Sequence, residues 1–454
     1  MRISNILQFV RERSAVKKFL ENSGWIVGQN VITLLLGLFV SAITARYLGP
    51  KSFGEFSFAF SILSLFSFFA TLGMDTIVVK DLIDKPKEEG TVLWTGFVMR
   101  IVGGIALTLL GNGLIFVVSP ADMAIRLLVL ILSIGIVFRA FEIIECWTTS
   151  HQKSRISAKI RIVVYCVTSV LKVTVFVAFH ASVYVYAMLF ILDALMIGAL
   201  LSVAFFKSST RSPLRFSYSY AKRLISQCWY IALTGFLGSL YLRIDQVMIG
   251  SMLSDKAQLG IYSVAVRMAE LWFFVPMAII TSLQPIIMRY KSANDEANYR
   301  RTLEALYALV TWIGIIACTF ITLCSSFIIH FLYGPTYSDA AGVLSISVWA
   351  GTFTTLGAAR MIWLVSENLQ KYTVLYAVAG ALVNVLLNMA LIPVMGIYGA
   401  ATASLVTQFF CHIVFLSFFK QTRISTGMIL RAFALSIVFD WLRRNKGRKI
   451  PVTE

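Results

Sequence analysis

Long apolar segments separated by short polar stretches repeat along almost the whole chain. A run of about 20 apolar residues crosses the ~30 Å hydrocarbon core of a bilayer as an α-helix. The runs lack the alternation of apolar and polar positions that marks a transmembrane β-strand. The pattern therefore predicts an all-α integral membrane protein with about 12 transmembrane helices. The predicted spans are 24–46, 54–79, 92–118, 126–148, 157–180, 184–206, 224–250, 259–288, 304–331, 341–365, 371–392 and 397–419.

The polar stretches divide the chain into four predicted parts. Residues 1–23 form a basic amphipathic N-tail, 24–212 an N-lobe of six spans, 213–422 a C-lobe of six spans, and 423–454 a basic C-tail. Within the C-tail, residues 428–442 contain an apolar segment that is short for a span. It is predicted to be an interfacial helix that binds anionic lipids, with a further span as the alternative.

Basic residues are distributed very unequally between the two sides of the predicted membrane. The net charge is +18, and 30 of the 40 Lys and Arg residues fall in the two tails, in the even-numbered loops or at the span ends beside these loops. Only four fall in the odd-numbered loops or at the span ends beside them. Short cytoplasmic loops carry the positive excess in membrane proteins, so both termini are predicted to be cytoplasmic. This placement explains the charge without nucleic-acid binding, and no nucleic-acid partner is expected.

The two predicted lobes share a short sequence repeat. Gly54-Glu55-Phe56-Ser57 and Gly260-Ile261-Tyr262-Ser263 are 206 residues apart, and each lies where the first helix of a lobe turns into the second. Because six spans is an even number, both lobes enter the membrane from the same side. The repeat is therefore predicted to be parallel, a pseudo-two-fold arrangement found in transporters with two lobes around a central cavity.

Several motifs in this order resemble those of a known transporter family. They are Ala45-Arg46-Tyr47-Leu48-Gly49-Pro50 with Phe53-Gly54-Glu55-Phe56, Leu72-Gly73-Met74-Asp75, Asp245-Gln246-Val247-Met248-Ile249-Gly250 and Gly396-Ile397-Tyr398-Gly399-Ala400-Ala401. Over residues 20–420 the chain resembles polysaccharide flippases of the Wzx type, in the superfamily that includes multidrug exporters and the lipid II flippase. The resemblance implies a multi-pass protein of the bacterial inner membrane that flips an undecaprenyl-pyrophosphate-linked oligosaccharide to the periplasmic leaflet. It also implies a role in O-antigen, lipopolysaccharide or other surface polysaccharide synthesis, beside polysaccharide polymerase and chain-length proteins.

Three basic residues inside the spans have no acidic neighbour at helical spacing: Arg100, Lys172 and Arg360. A charge at the bilayer centre is costly unless it faces a wet cavity or a partner. Cationic hydrogen-bond donors, arginine above all, suit a diphosphate. These three residues are expected to line the cavity and bind the pyrophosphate, with Arg46 near the outer gate.

Other charged residues in the spans are candidates for coupling or gating. Asp193 stands alone within its span, and a lone buried carboxylate can exchange protons or Na⁺. Asp75 is the second candidate for this coupling role. Two pairs, Arg139 with Glu142 and Arg267 with Glu270, are spaced three residues apart and share a helix face. For these carboxylates and pairs, structural ion pairs or packing contacts are the alternative to a role in coupling or gating.

An enzymatic function is not expected. The sequence has no P-loop, no metal-ligand cluster and no large segment outside the predicted spans, so neither a metal nor a cofactor is predicted. The alternatives that stay open are a cation-coupled multidrug exporter and a lipid II flippase of the same superfamily. An exporter of organic cations would favour an acidic cavity, whereas a lipid II flippase would carry further spans.

Overall fold

The computed structural model describes residues 3–118, 122–208 and 213–433, and these residues form helices and no strand. The α-helices are α1 Ile3–Thr71, α2 Asp75–Asp84, α3 Glu89–Val118, α4 Met123–Phe138, α5 Ile144–Ser150, α6 Ser154–Phe179, α7 Val183–Ser208, α8 Tyr218–Met252, α9 Lys256–Glu270, α10 Phe274–Ser292, α11 Glu296–Tyr333, α12 Ala340–Ser366, α13 Lys371–Met395, α14 Ile397–Phe409 and α15 Lys420–Arg431. A 3₁₀ segment, Arg139–Ile143, joins α4 to α5, and a π-helical turn, Phe410–Val414, follows α14.

Ten helical elements in the described residues are long and apolar enough to cross a membrane. The first, Gly24–Asp84, contains two predicted spans, because Gly49 has φ +74° and breaks the helix before Pro50. Proline is tolerated in the first turn of a helix, so a new helix starts there. The predicted span 224–250 lies in α8, of which Ile231–Leu240 is the apolar part. The all-α membrane fold predicted from the sequence is confirmed.

The chain divides into two compact units, Met1–Arg243 (unit 1) and Ile244–Glu454 (unit 2). The division falls within α8, 31 residues beyond the predicted end of the N-lobe at 212. The first part of α8 packs into the core of unit 1 through Tyr220, Leu224 and Cys228. The lobe boundaries drawn from hydropathy therefore stay predictions, and the packing of α8 explains why the compact units divide elsewhere.

Unit 2 is built around α11 and α12, which pack along each other, with α9, α10 and α14 against them. Its buried centre contains Asp245, which accepts hydrogen bonds from the hydroxyl groups of Tyr262 and, at 3.4 Å, Ser404. Tyr262 belongs to the repeat, and its counterpart Phe56 is buried in unit 1, 4.8 Å between ring centroids from Tyr186. The repeated motif thus supplies a buried aromatic ring to the core of each unit.

Helix α15 covers part of the region predicted to form an interfacial helix. It packs on α11 and α12 through buried residues that include Ser425, Thr426 and Ile429, and at 12 residues it is too short to span a bilayer. The rest of the predicted C-tail, 434–454, lies outside the described residues. So do the side chains of 1–23, on which the amphipathic character of the N-tail depends.

Candidate functional site

A sharp turn at the end of α1 positions the first residue of the site. Leu72 and Gly73 have φ +53° and +61°, which ends α1 at Thr71 and starts α2 at Asp75. Glycine adopts this left-handed conformation without steric cost. The motif Leu72-Gly73-Met74-Asp75 thus redirects the chain and presents the Asp75 carboxylate at the start of a new helix.

The far end of α2 is fixed to the start of α8. The Asp81 carboxylate accepts from the Tyr220 hydroxyl at 2.9 Å and from the Arg223 guanidinium at 2.7 Å. Burial, together with this hydrogen bond to Asp81, raises the pKa of Tyr220 above its ordinary value. These two hydrogen bonds tie the end of α2 to the start of α8.

Arg100 of α3 donates to the Asp75 carboxylate. Its helical spacing had suggested that Arg100 is unpaired, and that expectation was wrong. The Arg100 side chain is only 6% exposed, whereas that of Asp75 is 59% exposed. The Cys146 thiol, contributed by α5, lies 3.8 Å from the same carboxylate. Three elements that are distant in sequence therefore meet at Asp75.

A second charged group comes from the 3₁₀ segment. Residues three apart eclipse each other in a 3₁₀-helix, so Arg139 and Glu142 share one face, and Arg139 Nε donates to Glu142 at 2.9 Å. This pairing, predicted from the spacing, is present. Arg161 of α6 also contacts Glu142 at 3.1 Å and donates to Glu145 at 2.5 Å. Arg161 was not among the sequence candidates, because it lies at the start of the predicted span 157–180 and was counted with the basic residues beside the fourth loop.

Together these groups surround a polar cavity in unit 1, which we call the unit-1 cavity. Its main part has a volume of about 470 Å³, and a smaller part of about 230 Å³ shares Thr71, Arg100, Arg139 and Glu142 with it. The Arg139 side chain is 57% exposed. Four residues singled out from the sequence therefore converge on this one space: Asp75, Arg100, Arg139 and Glu142.

Lys172 and Asp193 form a separate, buried ion pair in unit 1. The Lys172 ammonium of α6 donates to the Asp193 carboxylate of α7, and the side chains are 7% and 9% exposed. The ammonium also lies 4.7 Å from the centroid of the Phe190 ring. The inference that Asp193 stands alone was wrong, because helical spacing within one span does not detect a partner on the next helix.

Arg360 is buried in unit 2 and is not open to a substrate in this structure. It is 1% exposed, and it donates to the His412 carbonyl at 2.7 Å and to the Thr426 hydroxyl at 3.3 Å. His412 lies in the π-helical turn, where the regular i→i+4 bonding is interrupted. Arg360 thus links α12 to this turn and to α15.

The remaining predicted residues lie apart from the unit-1 cavity. Arg46 is exposed on α1, close to the break at Gly49. In unit 2, Arg267 is exposed and Glu270 is half-buried on α9. The structure therefore brings together the sequence candidates of spans two to four.

The fold defines a multi-pass membrane protein with a charged cavity in unit 1. Among solved structures, an inward-facing multidrug-resistance MATE transporter of the MOP superfamily superposes with a TM-score of 0.71 at 14% identity, over 88% of this chain and 96% of that one. The lipid II flippase MurJ, in an inward closed conformation, superposes with a TM-score of 0.70 at 15% identity, over 93% of both chains. At these identities the likeness shows a shared fold.

Residues 43–342 match the family of polysaccharide biosynthesis proteins, and the chain belongs to this family. A probable flippase, AglR of Haloferax volcanii, is 27% identical over 206 residues, which are 45% of this chain. The match spans 41% of the length of that relative, less than half of it.

Proposed function

We propose that this protein is a flippase for a polyprenyl-pyrophosphate-linked oligosaccharide, with the headgroup bound in the unit-1 cavity. It would move the lipid by alternating access from the cytoplasmic to the outer leaflet of the bacterial inner membrane, for O-antigen or another surface polysaccharide. Membership in the polysaccharide biosynthesis family and the partial likeness to a probable flippase support this proposal. Transport of this kind needs no catalytic residue, so we infer a transporter and not an enzyme.

The strongest support for this proposal is the exposed guanidinium of Arg139. Its side chain is 57% exposed in the unit-1 cavity, and only Nε and one terminal nitrogen donate to Glu142. A guanidinium has five N–H donors in a planar fork, so donors remain for phosphate or sugar oxygens. The neighbouring carboxylates can accept from sugar hydroxyl groups. A sugar phosphate needs both kinds of partner, because its phosphate oxygens accept hydrogen bonds and its hydroxyl groups donate them.

The other charged residues have different proposed roles. We infer that Asp75 is the better coupling site for a proton or Na⁺, because it is 59% exposed whereas Asp193 is buried against Lys172. Lys172 and Arg360 would contact the headgroup only after their present contacts open, and Arg46 stays a candidate for the outer gate. The predicted cytoplasmic termini, the polysaccharide polymerase and chain-length partners, and the binding of the basic tails to anionic lipids belong to the same proposal.

Export of an organic cation is the second candidate function. The exposed Asp75 carboxylate favours it, because a carboxylate in a cavity can bind a cation directly. The two functions make opposite demands on Arg139. Removing this arginine would weaken binding of a pyrophosphate, whereas it would strengthen the negative field that attracts a cation.

Arg139→Ala tests the proposal in a strain that lacks the wild-type chain. Because Arg139 is exposed and Glu142 keeps Arg161 as a partner, the variant should be made at normal levels. A lost charged hydrogen bond of about 1.5–3 kcal/mol predicts a roughly tenfold or larger decrease in transport. The readouts are surface polysaccharide and accumulated lipid-linked sugar at matched protein levels.

Two further variants complete this experiment. Arg139→Lys keeps the charge without the planar fork and should retain part of the activity. Arg155→Ala removes an exposed arginine outside the lining of the unit-1 cavity and should leave transport unchanged. Full transport by Arg139→Ala, or a gain in organic-cation export, would contradict the flippase proposal.

A further inference from the structure

We propose that an apolar groove in unit 1 holds a segment of the polyprenyl chain while the headgroup occupies the unit-1 cavity. This inference rests on the proposed function and extends it to the lipid part of the substrate. The groove has a volume of about 240 Å³. Its lining is apolar except for one hydroxyl, and includes Trp94, Phe97, Phe141, Ser202, Phe205 and Leu214.

Aromatic rings give the groove a fixed shape. Trp94 stacks on Phe97 at 5.3 Å between centroids, and Phe97 contacts Phe141 at 4.8 Å. Phe141 is fixed in turn by α7, because a β-carbon at Gly198 would approach the Phe141 β-carbon to 2.8 Å. The glycine allows this close approach. The groove is therefore formed before any ligand binds.

One segment of the chain forms the wall between the groove and the unit-1 cavity. In the 3₁₀ segment, Arg139 and Glu142 line the cavity, whereas Phe141 and Ile143 line the groove. A 3₁₀-helix turns by 120° per residue, so its three faces point to different surroundings. Helix α3 contributes to both spaces as well, through Arg100 to the cavity and Phe97 to the groove. A charged headgroup site and a hydrocarbon site thus share their supporting elements.

The position of the groove along the helices agrees with the side from which the substrate enters. Its residues lie at the start of α3 and the end of α7, which flank the second and sixth predicted loops. Both loops are predicted to be cytoplasmic. The tail of a substrate that starts in the cytoplasmic leaflet would meet the groove at this end.

A polyprenyl chain suits this groove better than a phospholipid acyl chain. Each isoprene unit carries a rigid double bond and a methyl branch, so it loses less conformational entropy than a saturated chain when it is ordered. The methyl branches can pack against the aromatic faces. A preformed groove favours the ligand that needs the least ordering.

Photo-crosslinking in membranes tests the assignment. The probe is a polyprenyl phosphate with a diazirine on its tail, and a phosphatidylglycerol with a diazirine on one acyl chain is the comparison. Ser202→Phe fills the groove, and Ser202 donates only to the Gly198 carbonyl of its own helix. Val203→Phe, at the next, exposed position outside the groove, is the matched control.

The expected result is polyprenyl labelling of groove residues in the wild type that falls about tenfold in Ser202→Phe and not in Val203→Phe. Trp94→Ala, at a partly exposed position, is a second variant that should also reduce labelling if Ser202→Phe is poorly folded. Equal labelling by the phosphatidylglycerol probe would identify an adventitious membrane lipid and overturn the assignment.

Transport of lipid-linked sugar by the same proteins separates the two proposals. Normal transport by the wild type without selective groove labelling would overturn the groove assignment alone. Absence of transport by the wild type would overturn the proposed function and with it the assignment of the groove.

Discussion

Arg100 and Asp75 are 25 residues apart in the chain, and the buried guanidinium of the first donates to the exposed carboxylate of the second. The contact joins α3 to the start of α2 at the lining of the unit-1 cavity. A turn with positive φ at Leu72 and Gly73 makes this geometry possible. The site therefore depends on backbone conformation as much as on charge.

Gly73→Ala should displace Asp75 and reduce transport. Gly73 has φ +61°, and an added β-carbon would lie 2.7 Å from the Ile231 side chain. Positive φ for a non-glycine residue costs about 1–2 kcal/mol before any clash. Transport and thermal unfolding in detergent are the measurements.

Gly113→Ala is the control for this substitution. Gly113 lies within α3 with nothing within 4 Å of an added β-carbon, so alanine should be neutral or should stabilise the helix by up to about 1 kcal/mol. Equal behaviour of the two variants would show that the turn at Gly73 does not position the site.

Removal of either charge of the Lys172–Asp193 pair should destabilise the protein. Breaking a buried ion pair leaves an uncompensated charge and costs about 3–5 kcal/mol, whereas replacing both partners by apolar residues is often neutral. Lys172→Met and Asp193→Leu should therefore each lower the unfolding temperature, and the double variant should recover most of the loss.

The double variant also decides the role of Asp193 in coupling. Transport by the stable double variant with an unchanged response to uncouplers would assign the pair a structural role. Loss of transport at normal stability would support Asp193 as a coupling residue, and additive destabilisation in the double variant would contradict the ion pair itself.

Arg360→Met should loosen the packing of α15 against α12. The variant keeps an apolar side chain of similar length but removes the hydrogen bonds to the His412 carbonyl and the Thr426 hydroxyl. Hydrogen exchange over residues 420–431 should accelerate, because this helix loses a contact to α12.

Lys420→Met is the control, since Lys420 is exposed and lies at the start of the same helix. Unchanged exchange in Arg360→Met together with lost transport would instead favour a direct substrate role for Arg360.

Tyr262→Phe should destabilise unit 2 by about 1–3 kcal/mol, the cost of leaving a buried polar group with one partner fewer. The phenol donates to the buried Asp245 carboxylate, for which Ser404 at 3.4 Å is a weaker donor. Thermal unfolding is the measurement, and Tyr218→Phe, at an exposed position, should have no effect. An unchanged unfolding temperature in Tyr262→Phe would show that Asp245 does not depend on this hydrogen bond.

Much of the fold followed from the sequence because bilayer thickness imposes one length on every apolar helix. The motifs at Gly49-Pro50, Leu72-Gly73 and Gly396 were visible as patterns, and in the structure each has positive φ at its glycine. The boundary between the compact units could not be predicted in this way, since hydropathy cannot show that the first part of α8 packs into unit 1.

The sequence by itself determined the membrane-spanning helices, the pairing of Arg139 with Glu142, and the candidates Asp75 and Arg100. Helical spacing is a local property, so it found partners within one helix and none between helices. Only the tertiary structure paired Lys172 with Asp193 and Arg100 with Asp75, and buried Arg360 against His412. The rotation of each helix about its axis decides whether a buried charge meets a cavity or a partner, and that rotation is set by packing against neighbouring helices.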